Sequence, residues 1–255
     1  MNGSNSTLIE YERFFRDFEQ ALENAKDVEL QKADAYSDTT ALFFSTLLRI
    51  KGAIKASLCL LKEYLYPDAY AVTRNAFEAV LLLIGQIKYG NEEEYFKRLS
   101  INYYEDKIGL EKIRNYRCHP EEIKEIEVNI NKFEKKITEL KKVGAKSFGK
   151  SPIDSICGTL KISDYKNYTY ILLSKMVHIA LLSISKYVRK TDGNGIKFVD
   201  DCSFEYDRDT IIEINKNILK IVVSILDDRY GKTNKFSGLF DEMRKIKING
   251  DLLNT

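Results

Sequence analysis

The chain is predicted to be all-α: a multi-helix bundle with a protruding charged helical hairpin. Three observations predict this. Apolar side chains recur at threes and fours through nearly every segment. Only three prolines and thirteen glycines interrupt 255 residues, so long helices meet few steric breaks. No internal repeat and no alternating strand pattern of any length is present.

The elements follow in order. A first helix over about residues 7–25 carries Leu8, Tyr11, Phe15, Phe18 and Leu22 on one face. A second, about 37–65, has Leu42, Leu47, Ile50, Ile54, Leu58 and Leu61 as its stripe. It stops at "YLYPDAY", where Pro67 suits the first turn of a third helix reaching Tyr89, and Gly90 suits its C-cap. Asn91 and Glu94 form a capping pair for a fourth helix, to about Tyr116. Pro120 opens a fifth that ends at Gly144, with Ile123, Ile126, Ile130, Phe133, Ile137 and Leu140 as a narrow apolar stripe among charges. Helices four and five therefore read as the two arms of the hairpin, over 91–143.

Ser151-Pro152 starts a short sixth helix, and Ser163 or Asp164 caps a seventh expected to run from about 165 to 189. "TDGNGIKFVDDCSFEYD" is the least regular stretch and reads as a short strand or a loop. The last strong helix spans about 208–230 and stops at Gly231. Residues 1–230 are thus expected to form a single helical domain. Residues 231–255 read as a C-terminal tail with a short helix in "FSGLFDEMRKIKI".

Composition narrows the function. Apolar residues are 44% and charged residues 31%, the balance of a globular protein. A formal charge of +2 does not by itself imply nucleic-acid binding. Four dispersed cysteines without a Cys-x-x-Cys pair fit reduced thiols, hence a cytoplasmic expectation. The run "FEAVLLLIGQIKYG" is too short for a membrane span, so no membrane role is expected. Two histidines and scattered cysteines make no usual zinc site, and paired Glu-x-x-His motifs are absent. No phosphate-cradling glycine loop, nucleophile elbow or dinucleotide fingerprint occurs, so no cofactor is expected.

The informative residues are polar ones on apolar helices. Arg74 and Glu78 lie one turn apart in the third helix, and Ser174 and His178 share that spacing in the seventh. These two helices are the most apolar long ones and are expected at the centre of the bundle. If they face each other, Arg74, Glu78 and His178 converge, with Tyr170 two turns before His178. A purely structural reading stands beside this: an Arg–Glu pair on a wet stripe, and a histidine satisfied within a core.

The Arg-x-x-x-Glu of "RNAFE", preceded by the Ala-rich turn in "PDAYAVTRNAFE", and the Ser-x-x-x-His of "YILLSKMVH" resemble a bacterial all-helical family classed as a domain of unknown function. The resemblance covers about residues 40–190. More remotely, topology and motif resemble the HEPN group of helical proteins, many of which are metal-independent ribonucleases of toxin and phage-defence systems that work as dimers. That group carries Arg four to six residues before His on one helix. Here those positions hold Leu172, Leu173 and Ser174, so the arginine would come from another helix, as Arg74.

What the resemblance implies is metal-independent RNA cleavage. His178 would move the proton, Arg74 clamp the phosphate, Glu78 orient Arg74 or His178, and Tyr170 assist beside Ser174. RNA and a second copy of the chain would be partners, with "KKITELKKVGAKSFGK" holding the RNA backbone. The alternative is a non-catalytic ligand- or protein-binding module, its partner surface supplied by helix 120–143 and the 190–206 loop, with the Arg/Glu/His cluster locking helices together.

Overall fold

Short-range signals start and stop most of the helices. The computed structural model describes residues 3–30, 37–116, 119–177, 188–190, 196–198 and 205–230. Among these the fold is all-α, with eight helices and one short antiparallel strand pair. The helices are α1 (Gly3–Leu30), α2 (Asp38–Lys62), α3 (Tyr66–Lys88), α4 (Glu92–Asn115), α5 (Ile123–Lys142), α6 (Pro152–Thr159), α7 (Ser163–Val177) and α8 (Glu205–Tyr230). Ser37, Asn91 and Ser151 each cap a helix by accepting a backbone N–H three residues on, from Thr40, Glu94 and Asp154. Pro120 opens a 3₁₀ turn, Pro120–Glu122, that leads into α5.

Three helices end in the same way, with a left-handed residue that lets two N–H groups reach back to otherwise orphaned carbonyls. After α5 that residue is Gly144, at φ 87°. After α2 it is Tyr64 (φ 60°), with Leu65 N bonded to Leu60 O at 2.9 Å. After α6 it is Lys161 (φ 58°), with Ile162 N bonded to Cys157 O at 3.0 Å. The last two use an L side chain where glycine is the unstrained choice.

The chain divides into two compact units: Met1–Leu83 with Asp164–Thr255, and Ile84–Ser163. The first draws its core from α1, α2, α3 and α8. Tyr11, Phe14, Phe15, Phe18 and Leu22 of α1, Leu47, Ile50 and Ile54 of α2, and Leu219, Val222 and Leu226 of α8 are buried. Helix α1 continues past the predicted end at residue 25. Its last turn is held by tertiary contact, because the Tyr230 hydroxyl donates to the buried Glu29 carboxylate at 3.0 Å.

In the second unit α4 and α5 form the predicted hairpin. Ile101, Ile137 and Ala145 make its centre, flanked by Tyr104, Ile108 and Leu140. Asn102 braces the following loop like a piece of backbone: its Oδ1 accepts from Phe148 N at 3.0 Å and its Nδ2 donates to Gly149 O at 2.7 Å. Tyr89, Tyr95 and Phe148 pack as an aromatic trio, with the Arg98 guanidinium 4.2 Å from the Phe148 ring centre.

The seventh helix needs correction. It was expected to reach residue 189, but Val188–Lys190 is a strand, β1, paired antiparallel with β2 (Ile196–Phe198) in the register Val188↔Phe198. The physical reason is the "TDGNG" between them, a glycine-rich link that suits a hairpin and cannot prolong a helix. Nor does α7 occupy the centre over its described side chains. It buries Thr169 and Leu173 but exposes Tyr168 and Ile171 by 67% and 51%. The most apolar part of the predicted helix, 178–187, lies outside the described residues, as does the 231–255 tail.

Candidate functional site

Helix α3 supplies the first half of the site. Tyr66, Ala69, Tyr70, Thr73, Ala76, Phe77 and Val80 repeat at threes and fours and are buried. Arg74 and Glu78 sit beside that face, one turn apart, with side chains 21% and 24% exposed. Helix α7 supplies the second half. Tyr170 and Ser174 each follow a buried residue, Thr169 and Leu173, and so lie at the edge of its packed face. The two helices are pinned by Phe77 against Tyr165, ring centres 5.7 Å apart, and burial raises the Tyr165 hydroxyl pKa.

Within this frame Arg74 is braced on both sides. Its Nε donates to Glu78 Oε1 at 3.0 Å, and its Nη2 donates to the Tyr170 hydroxyl. The guanidinium carbon lies 4.4 Å from the Tyr170 ring centre, within cation–π range. Lys166, one turn before Tyr170, brings its ammonium to 5.5 Å from the same ring centre. The Ser174 Oγ is buried and has no hydrogen-bond partner among the described residues. Three of the five predicted site residues, Arg74, Glu78 and Tyr170, thus meet directly, and Ser174 lies one turn along α7. His178 lies outside the described residues.

A family model matches residues 40–196, and its description is a family of unknown function (DUF5677). The chain belongs to that family. No curated protein and no solved structure matches the chain. The family span runs from α2 to the first residue of β2, so it contains the whole Arg74–Glu78–Tyr170 niche, Ser174 and the α4–α5 hairpin, while α1 and α8 lie beyond it.

Sequence reasoning missed two features of the niche. Lys166 carried a signal, an i,i+4 spacing to Tyr170, that was not used. Behind Arg74 lies a buried polar cluster: Ser57 and Thr73 hydroxyls 3.0 Å apart, with Asn215 Nδ2 donating to Ser57 Oγ at 2.9 Å. Its members come from α2, α3 and α8, all fully buried. From α1 the Tyr11 hydroxyl is buried with no hydrogen-bond partner among the described residues, and burial pushes its pKa well up. Such a cluster fixes the rotation of α3 about its axis, and hence where Arg74 emerges. Among the described residues no helix is long and apolar enough to cross a membrane.

Proposed function

We propose that the chain is a HEPN-like protein of bacterial defence or toxin type that holds RNA phosphate at the Arg74 niche and cleaves the backbone without a metal. The observation that supports this reading is the bracing of Arg74. Glu78 takes its Nε and Tyr170 one terminal nitrogen, while Nη1 has no partner among the described residues. A guanidinium held this way loses little freedom when its remaining donors engage a phosphate. Lys166 adds a second positive charge on the same ring.

In the proposed reaction His178 accepts the 2′-hydroxyl proton, and the 2′-oxygen attacks phosphorus. Arg74 stabilises the charged phosphorane, and the bond to the 5′-oxygen breaks as that oxygen takes a proton from water, His178 returning its own proton to solvent. The products are a 2′,3′-cyclic phosphate and a 5′-hydroxyl. Glu78 and Tyr170 orient Arg74. The Ser174 hydroxyl is buried with no hydrogen-bond partner among the described residues, and His178 follows it by four residues in sequence.

The test is incubation of the pure protein with single-stranded and structured RNA in EDTA, with His178→Ala and Arg74→Ala alongside. Cleavage lost in both variants while their melting is unchanged supports the reading. No cleavage of either RNA by the wild-type chain overturns it.

A second reading rests on the same bond lengths. Glu78 already offsets the Arg74 charge and Tyr170 already ties it to α7, so the cluster also serves as a helix lock in a binding module. The lock reading expects lower melting temperatures for Arg74→Ala and Glu78→Ala, with any RNA cleavage unchanged.

A further inference from the structure

Helix α4 carries two stripes. One, with Ile101, Tyr104 and Ile108, packs in the hairpin core with Ile137 and Leu140 of α5. The other is the series Phe96, Leu99, Tyr103, Asp106, Leu110 and Ile113, spaced alternately by three and four, the repeat of a helix that pairs along its length. Phe96 and Leu99 are half-buried, but Tyr103, Leu110 and Ile113 are 55%, 59% and 59% exposed. Three large apolar side chains thus open to water along one helix face, with the charged pair Asp106-Lys107 set between Tyr103 and Leu110, and exposed apolar side chains clustered this way mark a candidate interface.

We infer that this face docks on the same face of a second copy, α4 against α4, antiparallel about a two-fold axis passing between Asp106 and Lys107. The charges choose both occupant and direction. Among the described residues neither Asp106 nor Lys107 forms an ion pair within its own chain, the Lys107 ammonium lying 5.5 Å from the Tyr103 ring centre, whereas Arg114 is paired with Glu111, Glu122 and Glu125. In the antiparallel register each Asp106 meets Lys107 of the other copy, and each Tyr103 meets Leu110 of the other copy. Every contact is made twice, as an isologous interface requires. A parallel pairing would instead set Asp106 on Asp106 and Lys107 on Lys107, which repel.

A single helix pair buries less than the roughly 1,200 Å² of a standard interface, so this dimer dissociates on dilution. The inference rests on the exposed face alone and is independent of the RNA reading.

Sedimentation velocity of the full chain, from the low to the high micromolar range, tests it. The wild-type average mass should climb toward twice the monomer, and Leu110→Glu should stay monomeric. Asp106→Lys or Lys107→Asp alone should weaken association about tenfold, equivalent to about 1.4 kcal/mol. The double variant Asp106→Lys/Lys107→Asp should recover it. None of the three positions is buried, so circular dichroism melting should stay near wild type. A wild-type chain monomeric throughout overturns the inference. So does a dimer that survives Leu110→Glu, or a double variant no better than the singles.

Discussion

The Tyr170 hydroxyl accepts a hydrogen bond from Arg74 Nη2 while the guanidinium lies 4.4 Å from the centre of the same ring, across 96 residues of chain. One tyrosine therefore offers Arg74 both an oxygen and a π-face. A double-mutant cycle of Arg74→Ala and Tyr170→Ala in urea should give a coupling of about 1 kcal/mol. Tyr170→Phe should retain roughly half of it, since the ring stays. A coupling near zero would mean the contact contributes nothing to α3–α7 cohesion.

Gly85 marks a close approach in the second unit. A Cβ there would lie 2.8 Å from the Tyr95 hydroxyl and 2.9 Å from an Ile156 methyl. Tyr95 and Ile156 are fully buried, so neither can swing aside. Gly85→Ala should therefore destabilise by about 1–2 kcal/mol, although alanine is the better helix former by about 1 kcal/mol. An unchanged or raised urea midpoint would contradict this.

Lys161 poses the opposite case. It holds φ 58° at an exposed helix end, a conformation glycine adopts without strain. Lys161→Gly should raise stability by about 0.5–1 kcal/mol, read as an increase in melting temperature. Lys161→Ala, which keeps the Cβ, should not.

Stability should also fall in alkali. Burial, reinforced by the hydrogen bond to Glu29, raises the Tyr230 hydroxyl pKa, and burial raises those of Tyr11, Tyr95 and Tyr165. Above about pH 10 the unfolded chain loses these protons while the folded chain keeps them. The unfolded state then binds fewer protons, so stability declines as pH rises beyond that point and is fully present below it. Denaturant midpoints measured from neutral pH to pH 11 should show the decline, shallower in Tyr230→Phe. That variant should start lower at neutral pH, because the hydrogen bond from Tyr230 to Glu29 is lost.

Much of the fold was legible because its signals are local. Ser37, Asn91, Ser151-Pro152 and Pro120 act within three residues of where they stand, and Gly90 and Gly144 have the positive φ their positions called for. The stop of α2 was legible at "YLYPDAY" from Pro67, but the left-handed residues at Tyr64 and Lys161 were not, since no glycine announces them. Helix seven was overextended because the apolar period before residue 188 hid the hairpin signal in "TDGNG". Of the niche, Arg74 and Glu78 could be read from their spacing and Tyr170 from its place on the right helix. The Ser57–Thr73–Asn215 cluster could not: Asn215 and Ser57 are 158 residues apart, and their meeting depends on how three helices are rotated.

The first unit is written in two instalments, with Ile84–Ser163 inserted between them. On the ribosome the inserted unit has its entire sequence in hand while α1, α2 and the start of α3 still await α8. During synthesis the apolar face that α1 turns to α8 would therefore stay without that partner for the whole translation of the insert. That interval, more than the finished molecule, is where a chaperone would find its grip.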